Sequence, residues 1–417
     1  MSGAATGHLS DTSWLKAEPL ASVLAALNGE DMETRVVGGA VRSALLEDRA
    51  PADIDLATTA DPETVLAKAN AAGFKTVPTG LSHGTVTLVS GGISFEVTTL
   101  RHDVETHGRQ ATVAFGADWE ADARRRDFTM NALYADAQGR LYDPVGGRRD
   151  IENRRVRFIG DARERISEDY LRILRFFRFH AQYGHGAPDS DGLSATITQR
   201  NGLRQLSAER IRQEVMRLVT APHAPATIEV MADTGLLCIV FAGIVRWPDF
   251  SRLVEIEERL GRTADPVLRL GALAVAIPED AERIGERLRL SNRERDRLIA
   301  AGENWWSMSP ALSQRARRAE LYRLGAETWR DRVLISWARS GASAKDPGWR
   351  DLLSLPEEWT PPDFPLKGAD LLALGVSSGP EIGRMLETIE ADWVAGDFSA
   401  DRDALLEIAR ARIEAMR

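Results

Sequence analysis

The sequence predicts an α+β fold, and three observations carry that reading. Over the first 150 residues short β-rich runs alternate with helical ones, and beyond them helix follows helix through short loops. At 417 residues and 43% hydrophobic the chain is also long enough for two to four domains. No apolar run approaches the roughly 20 residues that a membrane-spanning helix needs. The N-terminal "MSGAATGHLSDTSW" lacks the charged and apolar regions of a signal peptide. The expectation is therefore a cytoplasmic protein with no membrane association, and no obligate protein partner is inferred. The single Cys238 excludes an internal disulfide framework and any multi-cysteine zinc site; within "GLLCIVF" it is expected to be buried as a small hydrophobe.

Taken in order, "RVVGG" (Arg35 to Gly39) is a short strand entering a turn, and "AVRSALLED" has helical spacing. "ADIDLAT" reads as a strand. In "ADPETVLAKANAAG" Asp61 suits a helix N-cap, Pro62 the first turn, Glu63 the positive end of the dipole and Gly73 the stop. "GTVTLVSGGISFEVTTL" is a hairpin signal, two β-branched runs about a Gly-Gly turn. "RHDVETHGRQATVAFGADWEAD" reads as a mobile loop. Later, "SAERIRQEVMRLV" and "ATIEVMADTGLLCIVF" lead into a helical C-terminal half without a glycine-rich phosphate loop, metal-ligand cluster or repeat. Eight of the ten tryptophans lie from Trp247 onward. Helical core is their expected use, and stacking platforms for RNA bases are the alternative.

A net charge of −9 argues against a general nucleic-acid binder, whose nonspecific affinity comes from basic side chains on phosphates. Yet from Arg148 to His180 ten arginines face six acids, a local excess of +4. Such asymmetry suggests one local site for polyanions, with an ion-paired, solvated helix face as the plainer reading.

Candidate chemistry begins in "ADIDLAT". Side chains alternate along a strand, so Asp53 and Asp55 share a face while Ile54 and Leu56 pack behind, as in a strand buried on one face only. Two adjacent carboxylates repel unless protonated or bridged by a cation, and hard oxygen ligands select Mg²⁺ or Mn²⁺. Such a pair can hold two ions roughly 4 Å apart, one activating an attacking hydroxyl and one neutralising a triphosphate leaving group. Gly38 and Gly39 put backbone N–H groups at a helix N-terminus facing anything the aspartates hold, and Arg42 can reach the same anion. An exposed edge strand and a ligand-free turn are the alternatives.

Farther on, Arg125, Arg126, Asp127, Thr129 and Asn131 crowd into seven residues. A salt-bridged surface is one reading; in the other, Asn131 with Asp127 holds a ribose hydroxyl and Arg126 a triphosphate. In "SEDYLRILRFFRFHAQYG" a helix would set Asp169, Arg172, Arg175 and Arg178 in an i, i+3 row, with Leu171, Leu174 and Phe177 as the buried flank. Each step of three drifts by about 60°, so Asp169 and Arg178 cannot both face one small ligand. An ionised Asp only accepts hydrogen bonds and Arg only donates them. Cytosine and adenine offer an exocyclic amine beside ring acceptors, whereas uracil and guanine would set a carbonyl against Asp169 at a cost of roughly 1–3 kcal/mol. One Asp–Arg pair can thus admit amine-bearing bases and reject carbonyl-bearing ones without a template. Glu96 in "SFEVTTL" is a possible third carboxylate, or a partner for an arginine. His102-Asp103 lacks the further histidines of a phosphohydrolase site.

"VVGGAVRSALL…DIDLAT", "RRRDFTMNALY", "YDPVGGRRDI", "EDYLRILRFFRFHAQYG" and "SAERIRQEV", in this order, resemble the class II CCA-adding tRNA nucleotidyltransferases and their poly(A) polymerase relatives, over about Arg35 to Val219. The resemblance implies a polymerase-beta-like nucleotidyltransferase head with a small mixed sheet (20–150), followed by an all-helical neck (151–220), body (221–330) and tacked-on tRNA-binding tail (331–417). It implies Asp53 and Asp55 as Mg²⁺ ligands, Gly39, Arg42 and Arg126 at the nucleotide, and Asp169 and Arg172 reading the base with Arg175 and Arg178 nearby. The implied partners are tRNA, CTP and ATP. A loop after the hairpin would help the switch from C to A addition. Ser43 departs from the family's usual aspartate after "VR". Full CCA addition, CC-only, A-only or poly(A) addition, and a non-catalytic RNA-binding paralogue all remain open at this point.

Overall fold

In the computed structural model residues 5–47, 54–80, 84–107, 110–377 and 379–416 are described. The chain divides into two units, one through Ala242 and one from Gly243. The first holds β1 (Gly7–His8), β2 (Thr34–Val37), β3 (Ile54–Thr58), β4 (Lys75–Gly80), β5 (Thr85–Ser90), β6 (Ile93–Thr99), β7 (Arg101–His107), β8 (Gln110–Phe115), β9 (Tyr134–Ala135) and β10 (Arg140–Tyr142). Eight of them form one mixed sheet in the order β1-β10-β9-β2-β3-β6-β5-β4, in which β3 and β6 run parallel and the other neighbours antiparallel. Gly91 and Gly92 turn the β5–β6 hairpin with φ of 58° and 80°, the double left-handed turn that matches strand twist.

Two expectations change here. The segment read as a loop after the hairpin is itself the antiparallel pair β7–β8, as its own alternation of β-branched and polar residues allows. And β3 is not buried on one face only: Leu56, Ala57 and Thr58 are all buried. As an interior strand between β2 and β6 it is covered on both faces beyond its first residues. Ala57 joins a core with Val37, Trp119, Tyr134 and Tyr142, and Thr58 accepts the Thr34 hydroxyl at 2.8 Å. Only the start of β3 reaches solvent, with Asp55 exposed.

The helices of this unit are α1 (Leu20–Ala26), α2 (Gly39–Glu47), α3 (Pro62–Ala71), α4 (Trp119–Arg124), α5 (Gly147–Glu152), α6 (Ala162–Glu168), α7 (Leu171–Tyr183), α8 (Ser190–Gln199), α9 (Ala208–Val219), α10 (Ala224–Asp233) and α11 (Leu236–Phe241). As its sequence predicts, α3 is capped by the Asp61 carboxylate, which accepts the Thr64 N–H at 2.7 Å. Aromatic packing fixes α7 against the end of the sheet domain: Phe128 lies 4.9 Å from Phe158 and 5.1 Å from Phe179, and Phe158 stacks on Phe176 at 5.5 Å between ring centres. Cys238, expected to be buried, is exposed. On α11 the residues Leu236, Leu237, Val240 and Phe241 take the core face, and the helical period turns position 238 away from it.

From Gly243 the described residues are helical: α12 (Trp247–Leu260), α13 (Pro266–Ala274), α14 (Pro278–Leu288), α15 (Asn292–Gly302), α16 (Gln314–Ser340), α17 (Pro347–Glu358), α18 (Gly368–Ala373), α19 (Pro380–Ala395) and α20 (Arg402–Met416). Residue 330 lies inside α16, whose backbone departs from helix at Gly325 (φ 72°, ψ 163°), a conformation that suits glycine. On one side of this kink Ala319 and Tyr322 pack into a core with Trp393 and Ile389; on the other Trp329, Val333 and Trp337 pack with Trp349 and Leu352. Four of the eight C-terminal tryptophans, 329, 337, 349 and 393, are thus core, while Trp306 is 62% exposed. No helix among the described residues is long and apolar enough to cross a membrane.

Candidate nucleotide site

The end of β2 sets the geometry. Gly38 takes φ +69° between β2 and α2, and its N–H donates to the Leu133 carbonyl at 3.1 Å. A side chain there would be strained and would meet the Asn131 carbonyl at 3.4 Å, so the turn requires glycine. Val37 pairs with Asp55 across the antiparallel β2–β3 ladder, which brings Asp55 out beside the turn. Asp55 in turn pairs with Glu96 across the parallel β3–β6 ladder. Paired residues of neighbouring strands project to the same face, roughly 5 Å apart, and both of these carboxylate-bearing residues are exposed. Asp53 lies outside the described residues.

Arg42, one turn into α2, is buried. Its guanidinium donates to the Asn131 Oδ1 and, at 2.9 Å, to the Tyr183 hydroxyl, and it lies 4.2 Å from the centre of the Tyr183 ring. Burial lowers its pKa, with Tyr183 opposing. Asn131 passes the connection on: its Nδ2 donates to Asp127 Oδ1 at 2.9 Å. The other Asp127 oxygen accepts from Arg175 at 2.8 and 2.5 Å. Burial pushes the Asp127 carboxyl up, but Arg175, Asn131 and the Phe128 N–H outweigh it and hold the pKa below the ordinary 3.8. Beyond Arg175 stands Glu214 on α9, 3.8 Å from Arg175 Nη1 and hydrogen-bonded to Arg178 Nε. An unbroken polar chain therefore runs from Tyr183 through Arg42, Asn131, Asp127 and Arg175 to Glu214 and Arg178.

Arg126 takes a separate anchor. Its Nη2 pairs with Asp122 at 3.0 Å and its Nε donates to the Tyr134 hydroxyl at 3.3 Å, while its Nη1 lies on the Gly38 side, 3.8 Å from where a Gly38 Cβ would stand. Burial would lower its pKa, yet Tyr134 and Asp122 raise it, so the guanidinium stays charged. Arg165 ties this segment to α6 by donating to the carbonyls of Arg125 and Arg126 at 2.5 and 2.8 Å.

The i, i+3 row is only partly realised. Asp169 precedes α7 in extended backbone (φ −154°, ψ 106°), so Arg172, Arg175 and Arg178 alone share the helix. The Asp169 carboxylate accepts the Leu171 N–H at 3.2 Å and both Arg210 Nη groups at 3.1 and 2.5 Å. Arg172 donates to the Arg165 carbonyl at 2.6 Å and pairs with Glu168. Asp169 and Arg172 thus lie side by side, each held by another protein charge. Sequence reasoning missed Asp122, Glu168, Tyr183, Arg210 and Glu214 as site members. A signal existed for two of them: Arg210 and Glu214 are four apart in "SAERIRQEV", on one face of α9.

Residues 34–157 match the family described as "Poly A polymerase head domain", and residues 190–247 that described as "Probable RNA and SrmB-binding site of polymerase A". The chain is 33% identical to the mitochondrial CCA tRNA nucleotidyltransferase 1 of Mus musculus, over 93% of this chain and 89% of the mouse protein. It is 35% identical to the CCA-adding enzyme of Geobacillus kaustophilus over 73% of this chain and 78% of that one. Among solved structures, the Bacillus stearothermophilus CCA-adding enzyme in complex with CTP superposes with a TM-score of 0.71 at 28% identity, covering 95% of this chain and 97% of that one. The Thermotoga maritima CCA-adding enzyme complexed with tRNA shares the fold, with a TM-score of 0.69 at 21% identity over 99% and 100% of the two chains.

Proposed function

Since the chain belongs to the family of CCA-adding tRNA nucleotidyltransferases, we propose that it adds CMP and AMP, from CTP and ATP, to the 3′ end of tRNA without a nucleic-acid template. The observation that supports this reading is the hydrogen-bonded chain linking Arg42 on α2 through Asn131 and Asp127 to Arg175 on α7, in the same unit as the exposed Asp55, which is in register with Val37 beside the Gly38 turn.

In this reaction the RNA 3′-hydroxyl loses its proton and forms a bond to the α-phosphorus, the bond to the bridging oxygen breaks, and pyrophosphate leaves. Nucleotidyltransferases of this kind generally need a divalent metal. Two exposed carboxylates in register on adjacent parallel strands are hard oxygen donors, and they fit such an ion. Asp53, Asp55 and Glu96 would hold Mg²⁺ or Mn²⁺, which when bound supplies charge neutralisation and acidifies the attacking hydroxyl. With the Gly38 N–H committed to the Leu133 carbonyl, the N-terminus of α2 from Gly39 onward offers backbone N–H groups to the triphosphate, and Arg126, kept charged by Asp122 and Tyr134, faces the developing negative charge of pyrophosphate. Arg42 braces Asn131, and Asn131 with Asp127 meets the ribose. Asp169 and Arg172 read the base edge, while Arg175 and Arg178, locked on Asp127 and Glu214, fix the wall behind it. Within the same proposal, residues 20–150 serve as head, 151–220 as neck, 221–330 as body and 331–417 as a tRNA-binding tail, in a cytoplasmic enzyme.

A poly(A) polymerase is the second reading, favoured by the description of the family that residues 34–157 match. Incubating the protein with tRNA transcripts that end before, within and after CCA, one nucleotide at a time, separates the two. The expected result is two C additions and one A addition, followed by arrest. An open-ended A tail on every transcript, or no incorporation at all, would overturn the proposal.

A further inference from the structure

The arginine-rich run that sequence analysis assigned to one polyanion site is divided between two. Arg165, Arg172, Arg175 and Arg178 belong to the nucleotide site, whereas Arg149, Arg154, Arg155 and Arg157 line a cleft of about 710 Å³ with His180 and His185. His180 and Arg178 are two positions apart on α7, about 200° around its axis, so the cleft lies on the other side of that helix from Arg178.

Two carboxylates share the cleft wall, and both are engaged. Asp150 accepts from the Thr129 hydroxyl at 2.6 Å and from Arg157 at 2.9 Å; Asp189 pairs with Arg155 and accepts the Gly192 N–H at 3.0 Å. That leaves Arg149 and Arg154, both exposed, with no side-chain partner among the described residues. Arg154 also sits at φ 51°, a left-handed backbone uncommon outside glycine. Three backbone hydrogen bonds hold it there: its N–H to the Ile151 carbonyl at 3.0 Å, Arg155 N–H to the Asp150 carbonyl at 2.8 Å, and His185 N–H to its own carbonyl at 3.0 Å. Strain of this kind persists only where the surroundings over-determine it. Here it fixes an uncompensated guanidinium on the wall of a cleft far larger than one phosphate group, in a chain whose net charge is −9.

We propose that this cleft binds the phosphodiester backbone of RNA, gripping the nucleic acid at a second point away from the nucleotide site. The inference rests on the reading of RNA as substrate. The planar guanidinium fork matches two phosphate oxygens, and the unpaired pair Arg149 and Arg154 accounts for two such contacts. Inorganic phosphate or pyrophosphate carries the same chemistry and is the rival occupant.

The test is the double variant Arg149→Ala/Arg154→Gly in the full chain, glycine being chosen because it accepts the left-handed backbone. Loss of two phosphate contacts should weaken tRNA binding about tenfold near physiological salt and flatten the slope of log affinity against log salt by about 1.5. The KM for tRNA should rise while the KM for CTP stays at the wild-type value. Unchanged tRNA affinity and slope would overturn the proposal, as would a change confined to inhibition by pyrophosphate or inorganic phosphate. Should the double variant melt at a lower temperature than wild type, Arg149→Ala alone, at an exposed helix position, is expected to give about half the slope change, and an unaltered slope there refutes the cleft. Wild-type incorporation into the same tRNA is measured alongside. Its absence would sink the functional reading, whereas normal wild-type incorporation with unchanged tRNA affinity in the variant would sink only the cleft.

Discussion

The start of β3 and the polar side of α7 treat charge in opposite ways. At β3 Asp55 and Glu96, paired in register on adjacent parallel strands, are both exposed. Along α7 every arginine of the site is already matched: Arg172 with Glu168, Arg175 with Asp127 and Glu214, Arg178 with Glu214. The first arrangement presents hard oxygen donors of the kind that suit a divalent cation. The second is complete in itself and holds donors and acceptors in fixed directions, which is what discrimination between bases requires.

The sharpest way to break that contrast is at the strand. Asp55→Ala should lower nucleotide incorporation by at least about 10³-fold in Mg²⁺, the scale of removing one member of a catalytic unit. Its exposed position predicts a stability change of no more than about 0.5 kcal/mol. Glu96→Gln should cost less, about 10- to 100-fold, because its neighbour remains. Single-turnover incorporation with either variant is the measurement, and near-normal rates for Asp55→Ala would remove that residue from the metal site.

At α7 the same experiment should read stability before rate. Asp127→Asn leaves Arg175 without its main partner and is expected to destabilise by about 2 kcal/mol, below the roughly 3–5 kcal/mol of a fully buried pair because Arg175 is 32% exposed. The pH dependence has a definite sign. The Asp127 pKa in the folded protein lies below 3.8, so its contribution is fully present above that value and is lost as pH falls through the lowered pKa. Denaturation midpoints followed from pH 6 downward should therefore converge for wild type and variant in the acid range below about 4. Parallel curves down to acid would show that the Asp127–Arg175 pair does not contribute as drawn.

These two regions also differ in how far the sequence disclosed them. Asp55, Gly38 and Gly39 were legible because strand alternation and a glycine turn are local patterns, readable within a few residues. Partners along α7 were not, because Arg175 meets Asp127 across 48 positions and Arg178 meets Glu214 across 36. Composition flags such arginines as a basic window, yet only folding shows which acids answer them. The same limit explains the divided arginine run and the covered second face of β3. Each depends on what packs from elsewhere in the chain.

Base choice is the next comparison. If Asp169 reads the base as proposed, Asp169→Ala removes the acceptor that would oppose uracil and guanine, and UTP and GTP should gain about tenfold against CTP and ATP while incorporation of the correct nucleotide falls less. Competition among the four triphosphates on a thermally intact variant decides it. An unchanged preference would leave Asp169 with the structural duties it visibly performs, accepting the Leu171 N–H at the start of α7 and pairing with Arg210.

Arg210 offers the smallest and most discriminating effect. It reaches Asp169 from α9 with two hydrogen bonds, one to each carboxylate oxygen, so it can fix the direction in which the acceptor points. Arg210→Gln keeps a polar amide donor on a shorter side chain and removes the charge. Asp169 then remains an acceptor with looser orientation, and selectivity for CTP and ATP should fall only about threefold, well short of the loss on deleting Asp169 itself. A positioning role makes a further demand that a merely stabilising one does not. In the Asp169→Ala background there is no carboxylate left to orient, so adding Arg210→Gln should leave base preference where Asp169→Ala put it, giving a coupling equal to the single-variant effect. If Arg210→Gln shifts preference equally in both backgrounds, the arginine acts on the nucleotide by another route; if it lowers thermal stability while leaving preference intact in the wild-type background, the pair belongs to the scaffold, and base selection rests with Arg172 and the rest of the wall.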